Sequence, residues 1–200
     1  MAMNNAQDLL KHELGDILYA EKQILKSLKP MIRETSDPEM KARLEQHEQE
    51  TEAQVGNIER AFEAIGEKAR PQKCPGILGI IEEKKEFKEE EEPSKAMLEA
   101  FNLGAGLRVE HYEIAAYRSA MTLAKALGLR DVAALLKENL DQELAMAKFI
   151  EGAAPAALQK VMAMVEQEQM KEEAKAARSA SKSAGKSAGK SAGRSASTRA

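Results

Sequence analysis

The chain contains no tryptophan, 6 prolines and a single cysteine, Cys74, in 200 residues. One cysteine excludes an intramolecular disulfide framework and a cysteine-based zinc site. No apolar run approaches the roughly 18 residues that a membrane span needs. The opening segment MAMNNAQDLL lacks a basic stretch followed by an apolar one, so no secretory signal is read there. These absences predict a soluble, cytoplasmic, reducing setting and no membrane partner. What remains is dominated by Ala, Glu, Lys, Leu and Met, which favour helix nearly everywhere. A hydrophobic content of 43% suffices for one domain with a real core.

Charge divides the chain in two. The net charge is −3, yet Arg178, Lys182, Lys186, Lys190, Arg194 and Arg199 follow one another with no acid from Arg178 onward, which leaves −9 on the rest. An acidic body with a basic end predicts two functional parts, a helical domain over 1–176 and a tail over 177–200. In the tail, Lys-Ser-Ala-Gly repeats three times over 182–193, with no aromatic or branched apolar side chain. Such a segment cannot fold by burial and is expected to be disordered on its own. Arg178, Lys182, Lys186, Lys190 and Arg194 recur every four positions and are candidates for non-specific contact with nucleic-acid phosphates. Without interleaved aromatics, no base stacking is expected.

Hydrophobic periodicity places helices at 5–35, 38–65, 95–127 and 131–151. Asp37, Pro38 and Glu39 form a strong helix start, as N-cap, first helical residue and first-turn acid. The connection 66–93 is broken by Pro71, Pro75, Gly76 and Gly79 but has room for a short helix over 77–91. It is long enough to travel the length of a bundle, which a tight turn cannot do. Gly152 and Pro155 are expected to stop the fourth helix, and a short fifth helix over about 156–176 would bury Leu158, Val161, Met162 and Val165. The fold class is all-α: an antiparallel four-helix bundle with a long crossover between helices 2 and 3.

Each of the four main helices carries an acid on its apolar seam. Glu21 follows Leu10, Leu14 and Ile17; Glu50 lies between Leu44 and Ile58; Glu113 precedes Tyr117 and Ala120; Glu143 follows Leu136 and Leu140. Glu21 lies 15 residues before a turn at Ser36 and Glu50 14 after it; Glu113 lies 16 before a turn at Leu129 and Glu143 14 after it. In antiparallel pairs these offsets leave each couple level to within roughly 1.5–3 Å at the helical rise. His47 and Glu110 lie three residues before Glu50 and Glu113 and share their faces. Five carboxylates and an imidazole at one height suit two hard or borderline cations such as iron or manganese. Without cations, several of these acids are expected to bind protons instead.

The words Asp16-Ile-Leu-Tyr-Ala-Glu21-Lys-Gln, His47-Glu-Gln-Glu50-Thr51, Val109-Glu110-His111-Tyr112-Glu113-Ile114-Ala115 and Leu140-Asp141-Gln142-Glu143 run in order through about 1–155. In them the chain resembles the YciE/YciF-type ferritin-like stress proteins. The resemblance implies a ferritin-like bundle with a di-metal centre similar to that of rubrerythrin, a homodimer, and a stress-linked role without a settled reaction. Carried over by position, the ligands are Glu21, His47, Glu50, Glu110, Glu113 and Glu143. Two departures stand out. The second helix reads His47-x-x-Glu50, reversed from the usual Glu-x-x-His, and the fourth has Met146 three residues after Glu143 where a histidine is usual. Oxidase or peroxidase chemistry, iron handling, nucleic-acid binding through the tail, and a metal-free scaffold dimerising through Met162, Met164 and Met170 are the competing readings.

Overall fold

The computed structural model describes residues 3–191, with side chains as far as Arg178. Among the described residues there are five helices and no strands: α1 (Ala6–Glu34), α2 (Pro38–Ala64), α3 (Pro75–Glu91), α4 (Lys95–Ala126) and α5 (Arg130–Ser191).

Local chemistry sets the helix ends. Asn5 caps α1 by accepting from the Asp8 amide, and Asp37 caps α2 by accepting from the amides of Glu39 and Met40. Ser94 caps α4 through the Met97 amide. Gly66 and Gly128, both at φ 75°, end α2 and α4 in the left-handed conformation that glycine adopts without strain. At each, two amides fold back: Glu67 to Phe62 and Gly66 to Glu63, then Leu129 to Ala124 and Gly128 to Lys125. Pro75 does not break the connection between α2 and α4. It opens α3 as the first helical residue behind Cys74, where its missing N–H costs nothing.

The chain separates into two compact units, Met1–Leu158 and Gln159–Ala200. In the first, α1 packs along α2 and α4, and α3 lies against α1 and α4. Two apolar clusters form its core. One gathers Leu10, Leu14, Leu18, Ile58, Phe62, Tyr117 and Leu136, and the other Ile24, Leu28, Leu44, Ile77, Met146 and Ile150. The seams read from periodicity are the buried faces. The segment before α3 is tied down where the Gln72 amide donates to the Gly15 carbonyl at 2.8 Å. A Cβ on Gly15 would stand 2.9 Å from the Arg70 carbonyl oxygen, so only glycine admits this approach.

Two expectations are corrected at the C-terminal end. The fourth helix does not stop at Gly152 and Pro155, and no separate short fifth helix follows. α5 runs through both, with Pro155 inside it. Proline removes one backbone donor, but Ala153, Ala154, Ala156 and Ala157 around it have the highest helix propensity, and the helix carries across. Of the residues expected to be buried here, Val161 is, whereas Leu158 and Met162 are 43% and 60% exposed. Residues 177–191 are helical backbone. Lys182, Lys186 and Lys190 fall on this helix, and Arg194 lies outside the described residues.

Candidate metal centre

The six candidate ligands come from four helices: Glu21 from α1, His47 and Glu50 from α2, Glu110 and Glu113 from α4, and Glu143 from α5. Glu21, His47, Glu110, Glu113 and Glu143 are buried, between two apolar clusters rather than within either. His47, Glu110, Glu113 and Glu143 each offer one ligand atom such that all four atoms lie within 4.8 Å of one another. The His47 Nε2 stands 3.4 Å from Glu110 Oε1 and 3.9 Å from Glu143 Oε2. Glu21 and Glu50 stand beside this group with other partners. Glu21 Oε1 accepts from the Tyr117 hydroxyl. Glu50 accepts from Arg43 and Gln46 and faces His47 Nδ1 at 3.4 Å.

Many of the buried ligand atoms make no hydrogen bond outside their own group: Glu21 Oε2, His47 Nε2, Glu110 Oε2, both oxygens of Glu113, and Glu143 Oε2 face one another, His47 as an ion pair with Glu110 and Glu143 and Glu113 carboxyl to carboxyl with Glu21. Buried polar atoms are ordinarily satisfied, and each failure costs about 1–3 kcal/mol, more for charged groups. Their proton affinities respond accordingly. Burial pushes the Glu113 carboxyl well above its usual range, and the charges of Glu21, Glu143 and Glu110 push it further. Glu143 is raised for the same reasons, burial first and Glu110 next. Burial raises Glu21 to about 7 although the Tyr117 hydroxyl opposes it. Burial alone would lower His47, but the carboxylates of Glu110 and Glu50 outweigh it and hold the imidazole up to about 10. Glu50 is held down to about 2, because hydrogen bonds from His47 and Arg43 overcome its partial burial. The pocket therefore takes up protons as its counter-charge, and a cation would replace them.

A second set of residues orients the ligands. Gln54 donates from Nε2 to Glu143 and to Gln142 Oε1, fixing the α5 carboxylate from α2. From the surface inward, Arg60 Nη1 donates to Asn57 Oδ1 at 3.0 Å, Asn57 Nδ2 to Asn139 Oδ1 at 2.8 Å, and Asn139 Nδ2 to the Tyr117 oxygen at 3.0 Å. Tyr117 then donates to Glu21. All four donors point the same way, so the string ends on the carboxylate with its positive end inward. Asn57 and Asn139 escaped the sequence reading. Their only signal was a short amide on an otherwise apolar helix face, and their partnership spans 82 residues of chain. Tyr112, one residue before Glu113, faces elsewhere. Its hydroxyl donates to Asp16 Oδ2 at 3.0 Å and lies 2.7 Å from Cys74 Sγ.

The family described as Domain of unknown function (DUF892) matches residues 5–163. The chain belongs to this family. Protein YciF of Escherichia coli strain K12 is 37% identical over 146 residues, covering 72% of this chain and 87% of that protein. The crystal structure of the E. coli stress protein YciF matches with a TM-score of 0.73 at 34% identity, covering 79% of this chain and 99% of that one. YcfI from Rhodopseudomonas palustris matches with a TM-score of 0.71 at 35% identity over 74% and 94% of the two chains. A protein from Xanthomonas campestris pv. campestris follows at 0.66 and 25% identity, over 82% and 99%. The chain is thus a YciF-type, all-helical DUF892 protein with a buried His/Glu group that could hold a metal ion. No helix among the described residues is long and apolar enough to cross a membrane.

Proposed function

We propose that this DUF892 protein is a stress-linked, ferritin-like protein in which α1, α2, α4 and the first part of α5 form an antiparallel bundle around a di-metal centre for iron or manganese. On this reading α3 and its flanks cross from one end of the bundle to the other, and the working form is a homodimer. The observation that carries the reading is the set of buried ligand atoms on Glu21, His47, Glu110, Glu113 and Glu143 that make no hydrogen bond outside their own group. They are acceptors, or a ring nitrogen that becomes one on losing its proton; His47, Glu110, Glu113 and Glu143 converge from α2, α4 and α5, with Glu21 of α1 beside them. Apolar replacements of similar size would be cheaper for the fold, so the arrangement suits a cationic guest. Carboxylate oxygens with one imidazole are the donor set of hard and borderline divalent ions.

Glu21, His47, Glu50, Glu110, Glu113 and Glu143 would hold the ions. When bound, iron or manganese supplies a redox-active centre able to exchange electrons with peroxide or O₂. The protein's own residues do the rest. Tyr117 occupies one oxygen of Glu21 and leaves Oε2 for a ligand bond. Gln54 fixes Glu143. His47 would hold an ion through Nε2 once its proton had left, and the surrounding apolar clusters keep bulk water from the centre. Metal analysis of freshly purified protein is the test. We expect about two ions per chain and a higher melting temperature when Fe²⁺ is restored to chelated protein. Metal-free protein whose melting is unchanged by Fe²⁺ would overturn the reading.

A second reading concerns the C-terminal helix. Arg178, Lys182, Lys186 and Lys190 recur at a four-residue spacing in its sequence, a density of bases suited to nucleic-acid phosphates without sequence selection. Deleting 177–200 should abolish a DNA mobility shift at low salt, and an undiminished shift would end this reading.

A further inference from the structure

Of the two candidate ligands outside the compact group, Glu50 is held in a way that bears on how the centre would fill. Both its oxygens are engaged: Oε1 accepts from Gln46 Nε2 at 2.8 Å, and Oε2 accepts from Arg43 Nη1 at 2.9 Å while lying 3.4 Å from His47 Nδ1. Arg43 precedes Glu50 by seven residues, two turns along the same face of α2. The pair stands at the edge of the centre. The side chains of Arg43 and Glu50 are 13% and 18% exposed, against 1% for His47 and 0% for Glu143. The guanidinium is therefore a permanent cation already seated on a would-be metal ligand.

We propose that Arg43 is a latch that holds Glu50 out of the centre, so that a first ion binds at His47, Glu110, Glu113 and Glu143 and a second binds only after Glu50 exchanges the guanidinium for the metal. The inference rests on the metal-centre reading and adds an order of filling and the residue that sets it. Glu50 cannot give Oε2 to a divalent ion and keep its single contact with Arg43 Nη1 there, since two cations would then share one oxygen at close range. The exchange costs the second ion part of its binding free energy. The first ion does not compete with the guanidinium for an oxygen, because none of the four convergent residues is paired with Arg43; only His47 Nδ1 reaches Glu50 Oε2, at 3.4 Å. Arg43 is thus a positioning residue that acts through Glu50, and its removal should improve binding, the opposite of what a supporting contact would do.

The test is an anaerobic titration of full-length, chelated protein with Mn²⁺, and separately with Fe²⁺, by calorimetry, with free Mn²⁺ followed by its EPR signal. Wild-type protein is expected to bind in two unequal steps. Arg43→Met keeps the stem and drops the charge. It should tighten the second step about five- to tenfold, the scale of one partly buried charge-assisted hydrogen bond, with the first step moved less than the second. Arg43→Lys should stay near wild type. Glu50→Gln should lose the second step, and Arg43→Met should add nothing in that background. Arg43→Gln is measured alongside, so that a folding defect in one neutral variant leaves the other to decide. A second step equal to or weaker than wild type in the neutral variants, or a gain that persists with Glu50→Gln, would overturn the latch alone. Wild-type protein that binds neither ion would overturn the metal-centre reading and the latch with it.

Discussion

Replacing Glu113 by leucine should stabilise the metal-free protein. Glu113 is 2% exposed, and apart from a carboxyl–carboxyl contact with Glu21 its oxygens have no hydrogen-bond partner. Leucine of similar volume loses that contact but removes a carboxyl that is either charged against Glu21, Glu143 and Glu110 or held protonated. An unsatisfied buried polar group costs about 1–3 kcal/mol, so a gain of about 2–3 kcal/mol is expected at pH 8. For a unit of this size each kcal/mol moves the melting temperature by roughly 2–4 °C, giving a shift of roughly 4–12 °C. The gain should shrink toward pH 5. Glu113 and Glu143 bind their protons more tightly folded than unfolded, so above the ordinary carboxylate value of 4.5 the folded chain holds more protons than the unfolded one. Wild-type stability accordingly falls as pH rises through that window. The leucine variant loses one contributor to the slope. Thermal and urea unfolding of chelated protein, followed by far-UV CD at pH 5 and pH 8, reads both effects. Metal should reverse the order: wild type gains about 2.7 kcal/mol with free ion at 100 times its dissociation constant, and the leucine variant gains much less. A leucine variant that is less stable than wild type in chelator at pH 8 would refute the reasoning, because the acid would then be contributing to the fold rather than straining it.

Other outcomes follow from particular contacts. Loading the centre at pH 7 should release protons, since Glu113, Glu143 and His47 all have raised proton affinities and must shed protons to coordinate; calorimetry in buffers of different ionisation enthalpy counts them, and zero release would contradict the arrangement. Asn139→Leu should cost about 1–3 kcal/mol in urea unfolding, because it strands the Asn57 side-chain amide inside the core and removes a donor to the Tyr117 oxygen. Glu34 accepts from Lys84, Lys88 and Asn102, and despite partial burial its carboxyl is lowered. A depressed acid stabilises above its unfolded value and loses that contribution as pH falls through its folded one, so Glu34→Gln should be less stable than wild type at pH 7 and match it in strong acid. Gly76→Ala should destabilise by about 1–3 kcal/mol, as its Cβ would stand 2.8 Å from the Tyr112 ring, and Tyr112→Phe should not rescue it because the clashing atom is a ring carbon.

Much of this centre was legible in the chain because helices convert spacing into position. Leu10, Leu14, Ile17, Glu21 and Ile24 step by three and four, and every one is buried. A carboxylate inside such a series is conspicuous, as is Glu110-x-x-Glu113 on one face. Residues whose meaning depends on a partner far along the chain were not legible. Asn139 lies between Glu138 and Leu140 and reads as a boundary residue until Asn57 and Tyr117 are seen to meet it. Proline misled in the other direction. At Pro75 it starts a helix, and at Pro155 it is carried inside one, because the alanines around it supply the propensity that offsets a lost hydrogen bond. Arg43 gave no signal, since a charge seven residues from an acid on a helix rich in both is the commonest of patterns.

The two acids outside the convergent group differ in a way that should govern how the centre responds to its surroundings. Glu21 is held by a neutral phenol whose own oxygen is held by Asn139, so it can keep that hydrogen bond and still offer Oε2. A carboxylate has about four lone-pair directions, and one hydroxyl uses a single one. Glu50 is held by a charge, and a divalent ion must displace that charge rather than join it. Salt screens the mostly buried Arg43–Glu50 pair, 13% and 18% exposed, only weakly, and the fully buried Tyr117–Glu21 bond less still. Raising ionic strength should therefore ease the exchange at Glu50 slightly and leave Glu21 nearly as it was. The two halves of the centre would part company in salt, although both are built from the same residue type on neighbouring helices.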